Sequence, residues 1–101
     1  PNANFAGANA HRAKFITANL TGARFDGAKV TEVDFTKADL TGASFRNADL
    51  RRARMFRANL SGANLSGARI EGVDLLNANL SGARWVDGVT VCAEGSEGTC
   101  N

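Results

Sequence analysis

Tyrosine is missing from these 101 residues, histidine occurs once and cysteine twice. Two thiols and a distant His11 fall short of the four ligands of a structural zinc site, and no C-x-x-C is present to carry dithiol redox catalysis. No apolar run approaches the roughly 20 residues that a membrane-spanning helix needs. A nucleophile and base pair, a phosphate loop and a metal-ligand cluster are also missing, and nothing in the chain calls for a cofactor. Hydrophobic residues make up 44%, but alanine supplies much of that share, so an ordinary aromatic-rich core is not on offer. At this length one small domain is expected. The chain opens on Pro1 instead of Met, with no leader pattern after it, as expected of a mature form or a shortened chain.

What is abundant is repetition. "ANLTGARF" at 18 to 25, "ADLTGASF" at 38 to 45, "ANLSGANL" at 58 to 65 and "ANLSGARW" at 78 to 85 recur every 20 residues. A period of five runs inside that one, centred on Phe5, Ala10, Phe15, Leu20, Phe25, Val30 and so on to Leu80 and Trp85. Two residues before each centre stands Ala, with Val33 and Val73 the exceptions, and a polar residue sits between. Five residues advance a helix by about 500°, equivalent to about 140°, so the alanines would define no helical face. An α-helix is excluded.

The small, polar, large order instead alternates over three residues, which sends the Ala and the centre to one side of an extended segment. Gly stands two residues after the centre at 7, 22, 27, 42, 62, 67, 72 and 82, where a type II turn needs positive φ. Each quintet is therefore one short edge and one corner, and four edges close a coil of 20 residues. Stacked coils place like residues in columns about 4.8 Å apart. Lys14, Asp34, Arg54 and Asp74 share one such column with alternating sign, which predicts a salt ladder worth about 0.2–1 kcal/mol per pair.

The A-(N/D)-(L/F)-(S/T)-G signature resembles that of the pentapeptide repeat proteins, over residues 3 to 87. The resemblance implies an all-β fold, a right-handed quadrilateral parallel β-helix of about four coils, with Ala and the central Leu or Phe inside. Residues 1 to 87 are read as this solenoid and residues 88 to 101 as a C-terminal capping tail. Trp85, Val89 and Val91 are expected to form a lid over the last coil. Cys92 and Cys100 are read as a disulfide closing the tail, with free thiols as the alternative; a disulfide would mean an oxidising compartment, whether periplasm, thylakoid lumen or the cell exterior. The tail also resembles the ends of exported bacterial and cyanobacterial members. At the other end the first coil begins near Pro1 without a lid, which predicts cover by upstream residues or end-to-end self-association.

Outside, residues 1 to 86 carry twelve basic and seven acidic side chains, a balance of +5, against −3 for the tail. The basic residues thicken at Arg46, Arg51, Arg52, Arg54 and Arg57, a candidate collar for a polyanion or nucleic acid, with Phe56 outward for stacking. The competing reading pairs those arginines with Asp34, Asp74, Glu32 and Glu71 on adjacent coils. Ile16, Thr36, Phe56 and Leu76 form a second unusual column, a candidate apolar partner surface. Asp34 and Asp74 would stand about 9.6 Å apart, near the spacing of an inverting glycosidase pair, but nothing makes a cleft, and no enzyme activity is expected. His11 reads as a solvated turn residue. The family's best-known members mimic duplex DNA and bind or protect type II topoisomerases, which needs an acidic surface and a C-terminal dimer extension; neither is present, so mimicry is not expected. The leading reading is a non-catalytic structural or protein-interaction β-helix, exported, with another protein as partner; weak polyanion or nucleic-acid binding through Arg46 to Arg57 is the second.

Overall fold

The computed structural model describes residues 2 to 101; Pro1 lies outside the described residues. Every parallel bridge joins residues 20 apart, from Asn4 with Arg24 to Asn64 with Arg84. The bridges fall into four columns, here called sides: side 1 at 4, 24, 44, 64 and 84, side 2 at 9, 29, 49 and 69, side 3 at 14, 34, 54 and 74, and side 4 at 19, 39, 59 and 79. The bridged residue is the polar one of each quintet, so the pairing register is the period seen in the sequence. Each side is so short that its ladder shrinks to one bridge per coil.

Backbone accounting explains why the quintet works. Around Leu40, the Leu40 N–H donates to Asn59 O at 2.7 Å and the Gly42 N–H to Ser61 O at 2.9 Å, both on the following coil. The Ala43 N–H returns to Leu40 O at 2.9 Å and closes the corner, while the Ser44 N–H reaches back to Ala23 O at 2.9 Å. Only the Thr41 N–H has no backbone acceptor, and Asp39 Oδ1 accepts it at 3.1 Å. The same contact recurs at Thr21 with Asn19, Ser61 with Asn59 and Ser81 with Asn79, at 3.0 to 3.2 Å. Asn and Asp therefore fill the polar position because they satisfy the fifth donor of the quintet.

This contact has a pH consequence. Hydrogen bonds from the Thr41 side chain and backbone hold the Asp39 carboxyl below the ordinary aspartate value of 3.8. A depressed folded-state pKa contributes stability that is complete above the unfolded value and is lost as pH falls through the folded one. Asp39→Asn keeps the acceptor, as Asn19 and Asn59 show. It is expected to leave stability at pH 7 within about 0.5 kcal/mol and to flatten the acid limb of a denaturation series between pH 5 and 2. An unchanged acid limb would count against this assignment.

The alanines and centres of the middle coils are buried, Leu40, Leu50 and Leu60 completely. Rings from sides 1 and 3 fill the axis in two stacks. Phe5, Phe25 and Phe45 lie parallel at 4.9 and 5.0 Å, and Phe15 and Phe35 at 5.5 Å. Between the stacks the contacts are edge-on, at 5.5 Å for Phe25 with Phe35, an arrangement the ring quadrupoles favour. Alanine on the same faces leaves room for them.

Positive φ marks the second corner residue of each quintet from Gly7 to Gly82, and not at the glycines alone: Arg12, Thr17, Glu32, Lys37, Asn47, Arg52, Arg57 and Asn77 adopt φ of 57° to 62°. Except at Asn77, the N–H of each donates to the following coil, as Lys37 to Phe56 O at 2.9 Å, and this pairing holds the backbone in a region that costs each side chain about 1–2 kcal/mol. Two glycines separate this backbone cost from steric cost. Around Gly42 a methyl group would meet nothing within 4 Å, whereas on Gly67 it would run into Asn47 Oδ1. Gly42→Ala is expected to destabilise by about 1 kcal/mol and Gly67→Ala by more, read from denaturant midpoints. Equal losses would show that the Asn47 contact is not felt.

After side 1 the chain turns at Asp87, whose carboxylate accepts from the N–H groups of Val89 and Thr90 at 2.9 and 2.8 Å. It then runs back antiparallel, Val91 bridging Arg84 and Glu97 bridging Asn79. The expected lid is corrected here, because Val89 and Val91 are 80% and 54% exposed. The bridge explains this: Val91 pairs with Arg84, whose side chain points outward, and the strand alternation sends the next residue, Cys92, inward. Cys92 and Ser96 are buried, with Trp85, Val86 and Cys100 packed partly against the core. Cys92 and Cys100 form a disulfide.

Candidate interaction surface

The salt ladder predicted on side 3 forms as a column but not as ion pairs. Bridges join Lys14 to Asp34, Asp34 to Arg54 and Arg54 to Asp74, yet none of these charges approaches another within 4.0 Å. The carboxylates are engaged locally instead. Asp34 Oδ1 accepts from the Thr36 N–H at 2.9 Å and its hydroxyl at 2.5 Å, and Asp74 Oδ1 accepts from the Leu76 N–H at 3.0 Å. Burial pushes the Asp34 carboxyl up, but the Thr36 hydrogen bonds and the fields of Arg54 and Lys14 outweigh it and keep the group below its ordinary range. The short Asp reaches its own corner more readily than the neighbouring row.

The five arginines of the collar separate. Arg51, Arg52 and Arg54 stand at and beside the corner between sides 2 and 3, whereas Arg46 follows side 1 and Arg57 follows side 3. Arg51 is held by Asp49 of the same coil through two hydrogen bonds of 2.8 and 2.7 Å, and this pairing raises the Arg51 pKa. Among the described residues Arg46, Arg52, Arg54 and Arg57 have no carboxylate within 4.0 Å. The expected pairing with Asp34, Asp74, Glu32 and Glu71 on adjacent coils is therefore not formed. The Arg46 N–H donates to Asp26 of the preceding coil at 3.2 Å, because position 44 is Ser and lacks the usual Asx acceptor.

The apolar column is broken. Ile16 and Leu76 are 48% and 60% exposed, but Thr36 turns its hydroxyl to Asp34. Phe56 is half-buried, with the Arg57 guanidinium 5.2 Å above its ring. That cation–π contact occupies the face on which a base would stack.

Two shallow grooves flank the corner between sides 2 and 3. One, of about 390 Å3, is lined by Lys29, Thr31, Glu32, Arg51, Glu71 and their neighbours. The other, of about 340 Å3, lies between Lys14, Asp34 and Arg54; Glu32 and Arg52 border both. His11 is less free than its sequence position implied: Nδ1 lies 2.6 Å from Thr31 Oγ1 and Nε2 lies 4.0 Å from Glu32. Lys29 and Thr31 went unnoticed in the sequence. The signal for Thr31 was its offset of 20 residues from His11 and Arg51; Lys29 carried no such signal. Among the described residues no group of His, Cys, Asp and Glu is placed to hold a metal, and no helix is long and apolar enough to cross a membrane.

This outward-facing arrangement on a 20-residue coil has known counterparts. The family model for pentapeptide repeats matches residues 1 to 22, 18 to 55 and 58 to 84, with eight copies. Rfr23, a pentapeptide repeat protein from the cyanobacterium Cyanothece 51142, is 29% identical with a TM-score of 0.50, over 84% of this chain and 61% of its own. QnrB1, a plasmid-mediated fluoroquinolone resistance protein, is 25% identical with a TM-score of 0.65, over 92% of this chain and 55% of its own. The chain thus spans little more than half the length of these two structures. No curated protein sequence matches it. With the repeat signature, the bridge register and the family model in agreement, the chain belongs to the pentapeptide repeat family and folds as a right-handed β-helix.

Proposed function

We propose that this chain is a non-catalytic interaction module, a rigid quadrilateral frame that presents surface side chains to a protein partner from outside the cytoplasm. The observation that carries this reading is the division of labour within each quintet. In the middle coils four of the five N–H groups of each quintet are satisfied by backbone carbonyls, the fifth by Asn or Asp where one precedes it, and every large apolar centre is inside, so the surface residues are free to vary at fixed spacing. The tail acts as the cap of the last coil, since its strands supply acceptors to Leu80 and Gly82 that the next coil would otherwise provide. The disulfide supports an oxidising compartment. The resistance role named for QnrB1 is not carried over to this chain, whose body is basic. At the first coil, Phe5 and Phe15 are only partly buried, which supports cover by another segment or copy at that end.

A photoreactive residue at position 76 is expected to trap a protein partner that the same residue at position 27 does not. Failure to trap one in native periplasmic, lumenal or secreted fractions would count against the reading. One observation favours a second reading, weak polyanion binding: among the described residues Arg46, Arg52, Arg54 and Arg57 have no ion-pair partner. Titrating a labelled DNA or heparin fragment at about 50 mM salt separates the two. No change in anisotropy there removes the polyanion.

A further inference from the structure

Around the corner between sides 2 and 3 the charges are ordered in more than one column. The first row carries Arg12 and Lys14 beside His11, and the second carries Glu32 and Asp34. The third returns to Arg52 and Arg54, and the fourth to Glu71 and Asp74. On the adjoining side 2 the sign also alternates, Lys29, Asp49, Arg69. The bridges stack these rows in register, about 4.8 Å apart.

The rows make little use of one another. Arg12 lies 3.6 Å from Glu32, His11 lies 4.0 Å from the same carboxylate, and Arg51 is held by Asp49. Among the described residues Lys14, Lys29, Arg52 and Arg54 have no opposite charge within 4.0 Å, and neither have Asp34, Glu71 and Asp74. A set of ordered, unpaired, outward charges is a surface with a complement, and its pitch says what the complement is. Like signs repeat every second row, about 9.6 Å. A partner matching several rows at once needs the same coil spacing.

We propose that this corner is a self-complementary contact through which two copies of the chain associate side by side and antiparallel. A two-fold axis level with the midpoint between the second and third rows sets Lys14 opposite Asp74 and Asp34 opposite Arg54. It also sets Glu32 opposite Arg52, Lys29 opposite Asp49 and His11 opposite Glu71. Each pairing occurs twice, and none of these columns brings like charges together. The remaining positions oppose a charge to a neutral residue, as Arg12 to Gly72 and Arg69 to Asn9. The corner between sides 3 and 4 lacks this property, because the same operation would set Lys37 against Arg57. The contact is therefore centred on the first corner. It is isologous and closes on itself as a dimer. A corner contact is smaller than a standard interface, so the affinity falls at about 0.1–1 mM and is salt-sensitive.

The test is a charge-swap cycle followed by sedimentation and small-angle X-ray scattering up to about 1 mM protein. At low salt the unmodified chain forms a dimer that dissociates at about 0.5 M salt. Glu32→Arg and Arg52→Glu, each alone, place like charges opposite one another at two symmetric points and weaken the dimer about tenfold or more. The double variant, Glu32→Arg with Arg52→Glu, restores it, because the two signs are exchanged and still opposed. Both positions are surface corners, and thermal melts confirm that the variants remain folded. A monomer at low salt and 1 mM overturns the proposal, as does a double variant no better than the singles. A dimer indifferent to both swaps forms elsewhere on the molecule and overturns it too.

Discussion

Phe35→Ala is expected to destabilise the protein by about 3–5 kcal/mol, the largest single-residue loss in the chain. Phe35 is fully buried, stacks on Phe15 at 5.5 Å and meets Phe25 and Phe45 edge-on at 5.5 and 5.8 Å. Removal of the ring leaves a void that the walls cannot close. The backbone is held by pairing to the coils on both sides, and the flanking rings of Phe15, Phe25 and Phe45 are fixed in their own stacks, so that among the side-3 centres only Met55 can lean part-way in. Against a total stability of about 5–15 kcal/mol for a domain, the variant would stand near unfolding at 37 °C. Phe35→Leu, which keeps most of the volume, is expected to cost less than half as much. Urea denaturation of the three proteins measures this. A loss below about 1 kcal/mol for the alanine variant would mean that the rings are not packed in register along the axis.

The second large effect is local. Reducing the Cys92 to Cys100 bond, or replacing both residues by Ser, is expected to lower the stability of the tail by about 2.5 kcal/mol, the loop-closure value for a ring of about nine residues. The loss should appear in the amides that depend on the tail. The Leu80 N–H donates to Ser96 O, the Gly82 N–H to Cys92 O and the Cys92 N–H to Ala83 O, each at 2.8 to 2.9 Å. Their exchange should quicken by one to two orders of magnitude on reduction, while Leu40 and Phe45 keep their protection. Uniform acceleration across all four sides would instead mean that the tail and the coils unfold as one unit. Mass spectrometry before and after reduction verifies the bond itself.

Much of the frame was legible because its cause is periodic. A period of five cannot belong to a helix, alternation over three residues sets inside from outside, and the 20-residue spacing sets the neighbour of every residue. Leu40 and Leu60 are buried and Lys14 bridges Asp34, as the columns predicted. The corners were legible only where they held glycine; Thr17, Glu32 and Lys37 adopt the same positive φ, held by hydrogen bonds from their N–H groups to the following coil. The preference for Asn or Asp at the polar position was visible, but its reason, the unsatisfied fifth N–H, was not.

The candidate surface was less legible. Sequence order placed Phe56 outside but could not show Arg57 lying over its ring. It set Val91 in a lid because Val is apolar, whereas antiparallel pairing with Arg84 turned it to solvent. The expected ion pairs on side 3 gave way to Asp34 bonding its own corner at Thr36.

The sequence by itself determined the architecture and the column to which each residue belongs, because inward and outward placement in a repeating quintet follows from the backbone alone. Only the tertiary structure decided which surface charges are used up and which are left free. That choice depends on side-chain reach across a gap of about 4.8 Å, and there the nearest donor on a residue's own corner competes with the charge on the next coil.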